Sequence, residues 1–246
     1  MAEFKISRRR FLTGAGLGAS MLPLGGCDAF DNLLGTDDQV RNIIEKANAV
    51  TYRVQRFLLG REALAREYPQ SAVRQTMRPN GSTNPQSDPY LSVKADDFAG
   101  YRLQVGGLVE KPLSLSLAEL RAMPSRTQIT RHDCVEGWSV IAKWTGVQLS
   151  RVLDEAQVKP EARYVLFRCY DSMGNSFTGP QYYYETIDMI DARHPQTILA
   201  YGINDETLPV AYGAPLRLRV ERQLGYKMAK YLRAIEVTDT LDPFGL

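Results

Sequence analysis

The chain has 246 residues with a formal net charge of +2 at pH 7, and its hydrophobic fraction of 44% is enough to build a full core. The first 26 residues contain four basic residues and one acidic residue, so removal of this segment leaves a charge of −1. A nearly neutral chain offers no electrostatic basis for binding nucleic acid, and we exclude that class of partner. The roughly 220 remaining residues suit one large domain, alone or with an appendage.

The N-terminus carries two export motifs. The run SRRRFL, residues 7–12, is typical of a twin-arginine signal, and the weakly apolar stretch after it is too short for a stable membrane span. The run LGGC, residues 24–27, resembles a lipoprotein cleavage site, in which Cys27 is acylated and Asp28 retains the protein at the inner membrane. We expect a periplasmic protein; a lipid anchor at Cys27 and an ordinary signal peptide that contains a cysteine both stay open.

Two contrasting segments follow the signal. Apolar residues recur at three- and four-residue spacing from Asp38 to about Tyr68, which predicts an amphipathic helix that ends before Pro69. Residues 69–90 are rich in proline and polar residues, which predicts an irregular segment. Long loops in compact domains are commonly functional, so the polar run Asn80–Thr83 is the expected place for anion or cofactor contacts.

The rest of the chain is predicted to be an α+β domain dominated by strands. The runs that predict strands are Tyr101–Val105, Leu113–Leu117, Thr127–Thr130, Arg163–Cys169, Thr197–Tyr201, Leu216–Val220 and Tyr231–Val237. Short helices are predicted after the capping box Ser116–Glu119 and over Val147–Val158. The predicted organisation is a signal over 1–27, a helix and irregular segment over 28–90, and the main domain over 91–246, with a cofactor loop that starts near residue 80.

The segment ITRHDCVEGWSVIAKWTG, residues 129–146, is the most informative for function. It surrounds Cys134 with polar and aromatic groups that can tune a thiol, including His132, Glu136 and Trp138. Three chemistries stay open for this cysteine: a nucleophile activated by a histidine, a zinc ligand, or the single thiolate ligand of a soft metal held by its own cofactor. No pattern marks a histidine base and the close ligand pairs of a zinc site are missing, whereas the third chemistry needs only one thiolate.

Two separated motifs resemble one family. RHDCVEGWSVIAKWTGVQL, which begins at Arg131, and YGAPLRLRVERQLGYKMAKYL, which begins at Tyr212, are similar in sequence and order to the molybdopterin-binding domain of the sulfite oxidase family. The resemblance covers about residues 80–239 and implies a mixed β-sheet core with short helices and a molybdenum cofactor with a single pterin. The Cys-Val-Glu-x-Trp-Ser form is similar to the branch of periplasmic protein-methionine-sulfoxide reductases, because Glu136, Gly137 and Trp138 stand where sulfite oxidases carry an arginine-bearing stretch.

The resemblance also implies roles for single residues. Cys134 is the expected thiolate ligand of molybdenum, and Arg217 is the expected partner of the pterin phosphate, a task suited to a planar guanidinium. His132 and Glu136, close to the thiolate, are expected to tune the metal or to transfer protons. The other expected cofactor-binding residues are Asn80, Thr83, Cys169, Tyr212, Met228, Ala229 and Lys230. Two of these depart from the family pattern: relatives have threonine at position 169, and asparagine or histidine at position 212.

Structural interpretations of the same residues stay open. Arg217 alternates with apolar residues, where a solvent-exposed arginine is the usual explanation, and Lys230 fits an ordinary surface lysine. Cys169 lies in a β-branched and aromatic run typical of a buried small apolar residue. In an exported protein it could also form a disulfide with Cys134. His132 fits a structural histidine as well as a functional one.

The expected function is that of an exported mononuclear molybdenum oxidoreductase that transfers an oxygen atom, with reduction of a sulfoxide-type substrate, small or protein-bound, as the favoured direction. No C-x-x-C-H motif is present, so no haem is expected, and electrons are expected from a membrane haem subunit or a cytochrome. The alternatives are a sulfite dehydrogenase, a lipid-anchored binding protein without catalysis, and a cysteine-dependent hydrolase.

Overall fold

The structure, a computed structural model, describes residues 38–176 and 179–241 and divides the chain into two compact units, residues 1–60 and 61–246. The described part of the first unit is helix α1, Asp38–Leu59. The helix ends earlier than the spacing predicts, because Gly60 follows it in the left-handed conformation that commonly terminates helices (φ +66°). The export motifs and Cys27 lie outside the described residues. None of the described helices has the length and apolar character required to span a membrane.

The larger unit contains two sheets and short helices. Its helices are α2 (Asp88–Lys94), α3 (Leu117–Ala122), α4 (Leu149–Glu155) and α5 (Met189–Ala192). The strands of the first sheet are β1 (Arg102–Gly107), β2 (Leu113–Ser116), β5 (Tyr164–Ser176), β6 (Gly179–Asp188) and β10 (Leu232–Thr238). The strands of the second sheet are β3 (Ser125–Asp133), β4 (Ser139–Gln148), β7 (Ile198–Ile203), β8 (Glu206–Thr207) and β9 (Arg217–Arg219).

The strand order confirms the α+β class. The first sheet runs β2-β1-β10-β5-β6, with β1 and β10 parallel and the other neighbours antiparallel. The second runs β3-β4-β7-β8, with β9 paired to β7, and all its pairs are antiparallel. Strand β10, the last strand in the chain, therefore lies in the middle of its sheet. Its central position explains why its inward residues Leu232, Ile235 and Val237 are almost completely buried.

The predicted element pattern is wrong at three elements. Strand β6 was not predicted, and strand β4 covers residues of the motif around Cys134 for which no strand was predicted. Strand β4 also includes Val147, the predicted start of a helix. Helix α4 is correspondingly shorter than predicted. The predicted start of α3 is confirmed: Ser116 Oγ accepts from the amide of Glu119, whose carboxylate accepts from the amide of Ser116 at 2.7 Å.

The irregular segment before α2 is anchored to the second sheet. The amide of Tyr68 donates to the carbonyl of Ile129 on β3, and the amide of Arg74 donates to that of Ile141 on β4, both at 2.9 Å. Met77 is buried in a small apolar cluster around Trp144 of β4. The segment thus covers one side of this sheet without forming regular structure of its own beyond a single 3-10 turn, Gln70–Ala72.

Candidate active site

The tip of the β3–β4 hairpin presents Cys134. The amide of Cys134 donates to the carbonyl of Trp138 at 2.9 Å, and the amide of Gly137 donates to the carbonyl of Cys134 at 3.1 Å. Gly137 has a φ of +85°, a conformation that glycine adopts without strain. The cysteine is a free thiol with 8% of its surface exposed. The hairpin therefore holds one thiol in a fixed place, almost covered but reachable.

His132, on β3 two residues before Cys134, is fully buried. Its Nδ1 is 2.9 Å from Nη1 of Arg219 and 3.3 Å from Sδ of Met228, and its ring centroid is 5.6 Å from that of Trp138. Burial, followed by the charges of Arg219, Arg217 and Lys230, lowers the pKa of His132 to about 2. The imidazole is therefore neutral at physiological pH.

Glu136 occupies the outer side of the same tip. Its carboxylate accepts from Nε1 of Trp138 at 2.9 Å and lies 3.9 Å from Nη2 of Arg78. The side chains of this ion pair are 72% exposed for the arginine and 44% exposed for the glutamate, so solvent screens the attraction strongly. Glu136 is thus an oriented carboxylate next to the thiol and open to solvent.

Arg217 and Arg219 on β9 are buried, with 1% and 0% of their surface exposed. The prediction of a solvent-exposed polar face on this strand is therefore wrong, because both faces of β9 are covered. Arg217 Nη1 donates to the carbonyl of Tyr212 at 3.1 Å, but its Nε has no partner among the described residues. Burial, followed by the charge of Arg219, lowers the pKa of Arg217 to about 9. A buried guanidinium with an open donor is a strong anion-binding group.

Arg217, Arg219 and Lys230 form a cationic region, and Lys230 connects it to the loop at residues 80–83. Its Nζ donates to the carbonyl of Asn80 at 2.6 Å and to that of Ser82, which also accepts from the hydroxyl of Tyr231 at 2.8 Å. Burial, followed by the charge of Arg217, lowers the pKa of Lys230 to about 8. Thr83, the last residue of this loop, is exposed to solvent. The structure thus brings Lys230, the expected phosphate contact, next to Asn80, which the resemblance places in a pterin-contacting loop.

The donor set fits a molybdopterin cofactor. Within residues 38–176 and 179–241, no group of three or more histidine, cysteine, aspartate or glutamate side chains could hold a metal ion by itself. A metal here would need most of its ligands from a cofactor, with Cys134 as the protein thiolate. The open Nε of Arg217 and the ammonium of Lys230 supply the positive charge that a pterin phosphate requires.

Comparison with known proteins agrees with this geometry. The family described as the oxidoreductase molybdopterin binding domain matches residues 90–243. The chain belongs to this family. It is accordingly a molybdopterin-dependent oxidoreductase, as the two sequence motifs predict, and its fold is that of the sulfite oxidase type.

Several members of the family are similar over different shares of the chain. A protein of Azospira oryzae, named as a candidate protein-methionine-sulfoxide reductase subunit, YedZ1, is 36% identical over 235 residues, which are 95% of this chain and 82% of that protein. The protein-methionine-sulfoxide reductase catalytic subunit MsrP of Xanthomonas axonopodis is 36% identical over 162 residues, which are 63% of this chain and 50% of that protein. The chain spans about half the length of the MsrP proteins it matches.

A solved structure of the family shares the fold. The sulfane dehydrogenase SoxCD from Paracoccus pantotrophus matches with a TM-score of 0.52 and 27% sequence identity. The match covers 58% of this chain and 39% of that chain.

Cys169 lies in the apolar interior. It is fully buried on β5, opposite Leu232 of β10, in the main apolar core. Burial, followed by the charges of Asp171 and Glu185, raises the pKa of its thiol. Both Cys134 and Cys169 are free, so the disulfide alternative is wrong. These surroundings favour a structural role for Cys169 over the cofactor contact that the family resemblance implies.

The remaining expected cofactor residues, Tyr212, Met228 and Ala229, make both side-chain and backbone contacts. The hydroxyl of Tyr212 donates to the carbonyl of Met77 at 2.7 Å, while its own carbonyl accepts from Arg217. Met228 and Ala229 are buried, and the amide of Met228 donates to the carbonyl of Gly225 at 3.1 Å. Tyr212 therefore fixes the covering segment and orients Arg217 at the same time.

Sequence analysis assigned no role in the site to Trp144, Arg219 or Glu221. Trp144 on β4 is fully buried, and the guanidinium carbons of Arg217 and Arg219 lie 5.2 and 4.3 Å from its ring centroid. Glu221 pairs with Arg219, and both side chains are completely buried. The alternation Arg217-x-Arg219-x-Glu221 was the available signal, since it places three charged side chains on one side of a short strand.

Proposed function

We propose that this oxidoreductase reduces sulfoxide groups at a molybdenum cofactor held by Cys134. The observation that carries the proposal is the placement of one thiol, on a rigid hairpin tip, in the region of the buried Arg217 and the partly buried Lys230, two basic side chains that can hold an anionic cofactor. Bound there, the cofactor would supply a two-electron exchange of an oxygen atom. The reduction of a sulfoxide to a sulfide consumes two electrons and two protons and releases water.

The residues of the chain divide these tasks. Arg217 and Lys230 would bind the phosphate of the pterin, and Cys134 would be the thiolate ligand of the metal. Glu136, held by Nε1 of Trp138 and open to solvent, would hold and deliver protons at the entrance of the site. The neutral ring of His132 would contribute hydrogen bonding rather than charge.

The charge at the hairpin tip favours a sulfoxide over sulfite. Glu136 is an exposed carboxylate within two residues of the thiol, and its negative charge opposes the approach of an anion such as sulfite. A sulfoxide is neutral and meets no such barrier. The similarity to the sulfane dehydrogenase SoxCD favours a second candidate, oxidation of a reduced sulfur compound at the same site.

Elemental analysis of the purified protein tests the cofactor site. Wild type and the Cys169→Ala control are expected to carry about one molybdenum and one pterin per chain, and Cys134→Ser is expected to lose the molybdenum. Molybdenum that persists in Cys134→Ser would contradict the assigned ligand. Reduction of a methyl sulfoxide and oxidation of sulfite, assayed side by side in wild type and Glu136→Gln, then decide the direction; sulfite turnover without sulfoxide turnover would refute the proposal.

We further propose that the protein is exported by the twin-arginine route and receives its electrons from a partner protein. The SRRRFL run supports the route, and the relatives named as subunits support the partner. The Arg8→Lys/Arg9→Lys variant is expected to remain in the cytoplasm while its matched wild type reaches the periplasm. Cys27→Ala tests the lipid anchor: release from the membrane fraction supports it, and unchanged fractionation refutes it.

A further inference from the structure

A buried chain of hydrogen bonds extends from the cysteine hairpin to Glu221. Arg219 Nη1 lies 2.9 Å from Nδ1 of His132, and its Nε and Nη2 donate to the two oxygens of Glu221 at 2.9 and 2.7 Å. Gln128 Nε2 donates to Oε1 of Glu221 at 3.0 Å. Both carboxylate oxygens are therefore engaged, and the bidentate pair fixes the plane and position of the guanidinium.

These contacts determine which ring nitrogen of His132 carries the proton. A guanidinium only donates hydrogen bonds, so Nδ1, which faces Arg219, must accept. The other neighbour of Nδ1, the thioether of Met228 at 3.3 Å, is only a weak acceptor. A proton on Nδ1 would force two N–H groups against each other across 2.9 Å. Nδ1 is therefore unprotonated, and the ring carries its proton on Nε2.

The Nε2–H group has no hydrogen-bond acceptor in the part of the chain that the structure describes, although the ring is fully buried. An unsatisfied buried donor of this kind costs about 1–3 kcal/mol, so the site favours a ligand that supplies an acceptor.

Gly225 lies against the same edge of the ring. A Cβ at this position would lie 2.7 Å from Nε2 and 2.5 Å from Cε1. The residue begins a 3-10 turn, Gly225–Lys227, which leads directly to Met228, Ala229 and Lys230. Only a glycine fits here, because the turn packs directly against the Nε2 edge, and this packing places the Nε2–H donor beside the segment assigned to the cofactor.

We propose that Arg219 and Glu221 are positioning residues of the cofactor site, which hold His132 as an Nε2–H donor toward an acceptor atom of the bound molybdenum cofactor. The assignment of the tautomer follows from the protein alone, whereas the assignment of the acceptor rests on the proposed molybdenum site. In this positioning role, Arg219 and Glu221 act through His132.

Nitrogen-15 NMR of the holoenzyme tests the assigned tautomer of His132. The chain contains two histidines, so the spectrum has only His132 and His194 to assign, and His194 serves as the internal control. We expect a protonated Nε2 and an unprotonated Nδ1 for His132 in wild type. We expect Arg219→Lys to keep this tautomer, because the ammonium can still donate to Nδ1. Protonation of Nδ1 in wild type would overturn the proposal.

The double variant Arg219→Met/Glu221→Met tests whether Arg219 and Glu221 position His132 toward the cofactor. It removes both charges of the pair together, since removal of one partner would leave an uncompensated buried charge. For the double variant we expect molybdenum content near that of wild type, a mixture of His132 tautomers, and a shifted Mo(V) electron paramagnetic resonance spectrum. The spectrum of the single variant Arg219→Lys should be close to that of wild type. An unchanged spectrum in the double variant would refute the positioning role. If the double variant does not fold, the spectra of wild type and Arg219→Lys still decide the tautomer.

The two proposals fail in distinguishable ways. Absence of molybdenum from wild type would refute the proposed function and, with it, the cofactor acceptor. A wild type that contains molybdenum but carries the proton on Nδ1 of His132 would refute this inference alone.

Discussion

Two arginines of one short strand show how hydrogen-bond partners separate a ligand-binding charge from a structural one. The guanidinium of Arg219 is hydrogen-bonded to both Glu221 and His132, so its charge has a structural role. Arg217, two residues earlier, donates one bond to a carbonyl and keeps Nε open. A buried charge without full compensation destabilises the folded protein, so its presence marks a position where an anionic ligand is required.

Substitution of Arg217 tests this interpretation. Arg217→Met should lower cofactor content at least tenfold and, because a buried charge is removed, should stabilise the cofactor-free protein by about 1–3 kcal/mol. Arg217→Lys keeps the charge but loses the planar fork and should retain an intermediate amount of cofactor. Molybdenum analysis and urea unfolding measure the two effects. Arg102→Met, at an exposed ion pair, is the matched control, and equal cofactor contents in all three variants would contradict the prediction.

At the scale of elements, the β3–β4 hairpin assembles the site. Residues directly opposite in an antiparallel pair project from the same face, and β3 pairs Gln128 with Trp144 and His132 with Val140. Cys134, two residues after His132, continues this buried face. A slip of one residue would turn the thiol and the imidazole to the opposite side. The register of β4 with its neighbours is therefore a requirement for function.

The register of β4 with β7 depends on close approach at Gly146. A Cβ there would lie 2.2 Å from the carbonyl oxygen of Leu199 and 2.7 Å from Cα of Ala200, and both are backbone atoms that cannot rotate away. Gly146→Ala should therefore destabilise the protein by about 3 kcal/mol or more, as measured by urea unfolding. Gly106→Ala on β1 is the control, because nothing lies within 4 Å of its Cβ, and it should stay within about 0.5 kcal/mol of wild type. Equal stabilities of the two variants would rule out this role for Gly146.

Local sequence patterns predicted those elements whose signals are local. The capping box at Ser116 identified the start of α3, because its hydrogen bonds lie within four residues. Strands β1, β7 and β10 and the first half of β5 were found because their alternation or β-branched composition is distinct. The cysteine and arginine motifs identified the family for the same reason: the chemistry of a thiolate and a phosphate ligand restricts the residues that can serve.

What the sequence did not predict depends on tertiary contacts. The alternation around Arg217 correctly indicated a strand, but alternation alone cannot tell whether the polar face meets water or another element. The solvent-exposed interpretation therefore failed at Arg217 and Arg219, and the pairing of Arg219 with Glu221 went unnoticed. Strand β4 was hidden because its residues overlap the motif around Cys134, which drew a functional rather than a structural interpretation.

At the scale of the whole molecule, the cofactor site concentrates positive charge in a chain whose formal net charge is only +2. The charge of Arg217 lowers the pKa of Lys230, the charge of Arg219 lowers that of Arg217, and all three charges lower the pKa of His132. Asp171 opposes this effect at Lys230 but is itself a buried carboxyl whose pKa is raised by burial. The cofactor-free protein therefore carries an electrostatic cost that a bound phosphate relieves, and cofactor binding should stabilise the fold.

This cost predicts a stability that depends on pH through Lys230. Burial, followed by the charge of Arg217, lowers its pKa from 10.5 to about 8 in the folded protein. Below pH 8 the amine is charged in both the folded and the unfolded states, and the folded state bears the full penalty. Between pH 8 and 10.5 the folded protein releases this proton while the unfolded chain keeps it, so stability rises with pH across this window.

The free energy of unfolding of cofactor-free wild type, measured against Lys230→Met, isolates this contribution from other groups that titrate in the same range. The wild type should gain roughly 2 kcal/mol relative to the variant between pH 7.5 and 10.5, since solvent reaches part of the side chain and reduces the effect of the full shift. With the cofactor bound, the phosphate favours the charged amine, and the gain should vanish. If the difference in the free energy of unfolding between cofactor-free wild type and Lys230→Met stays constant across this pH window, the charge on Lys230 carries no such penalty. The site would then not require a bound anion to offset its charge.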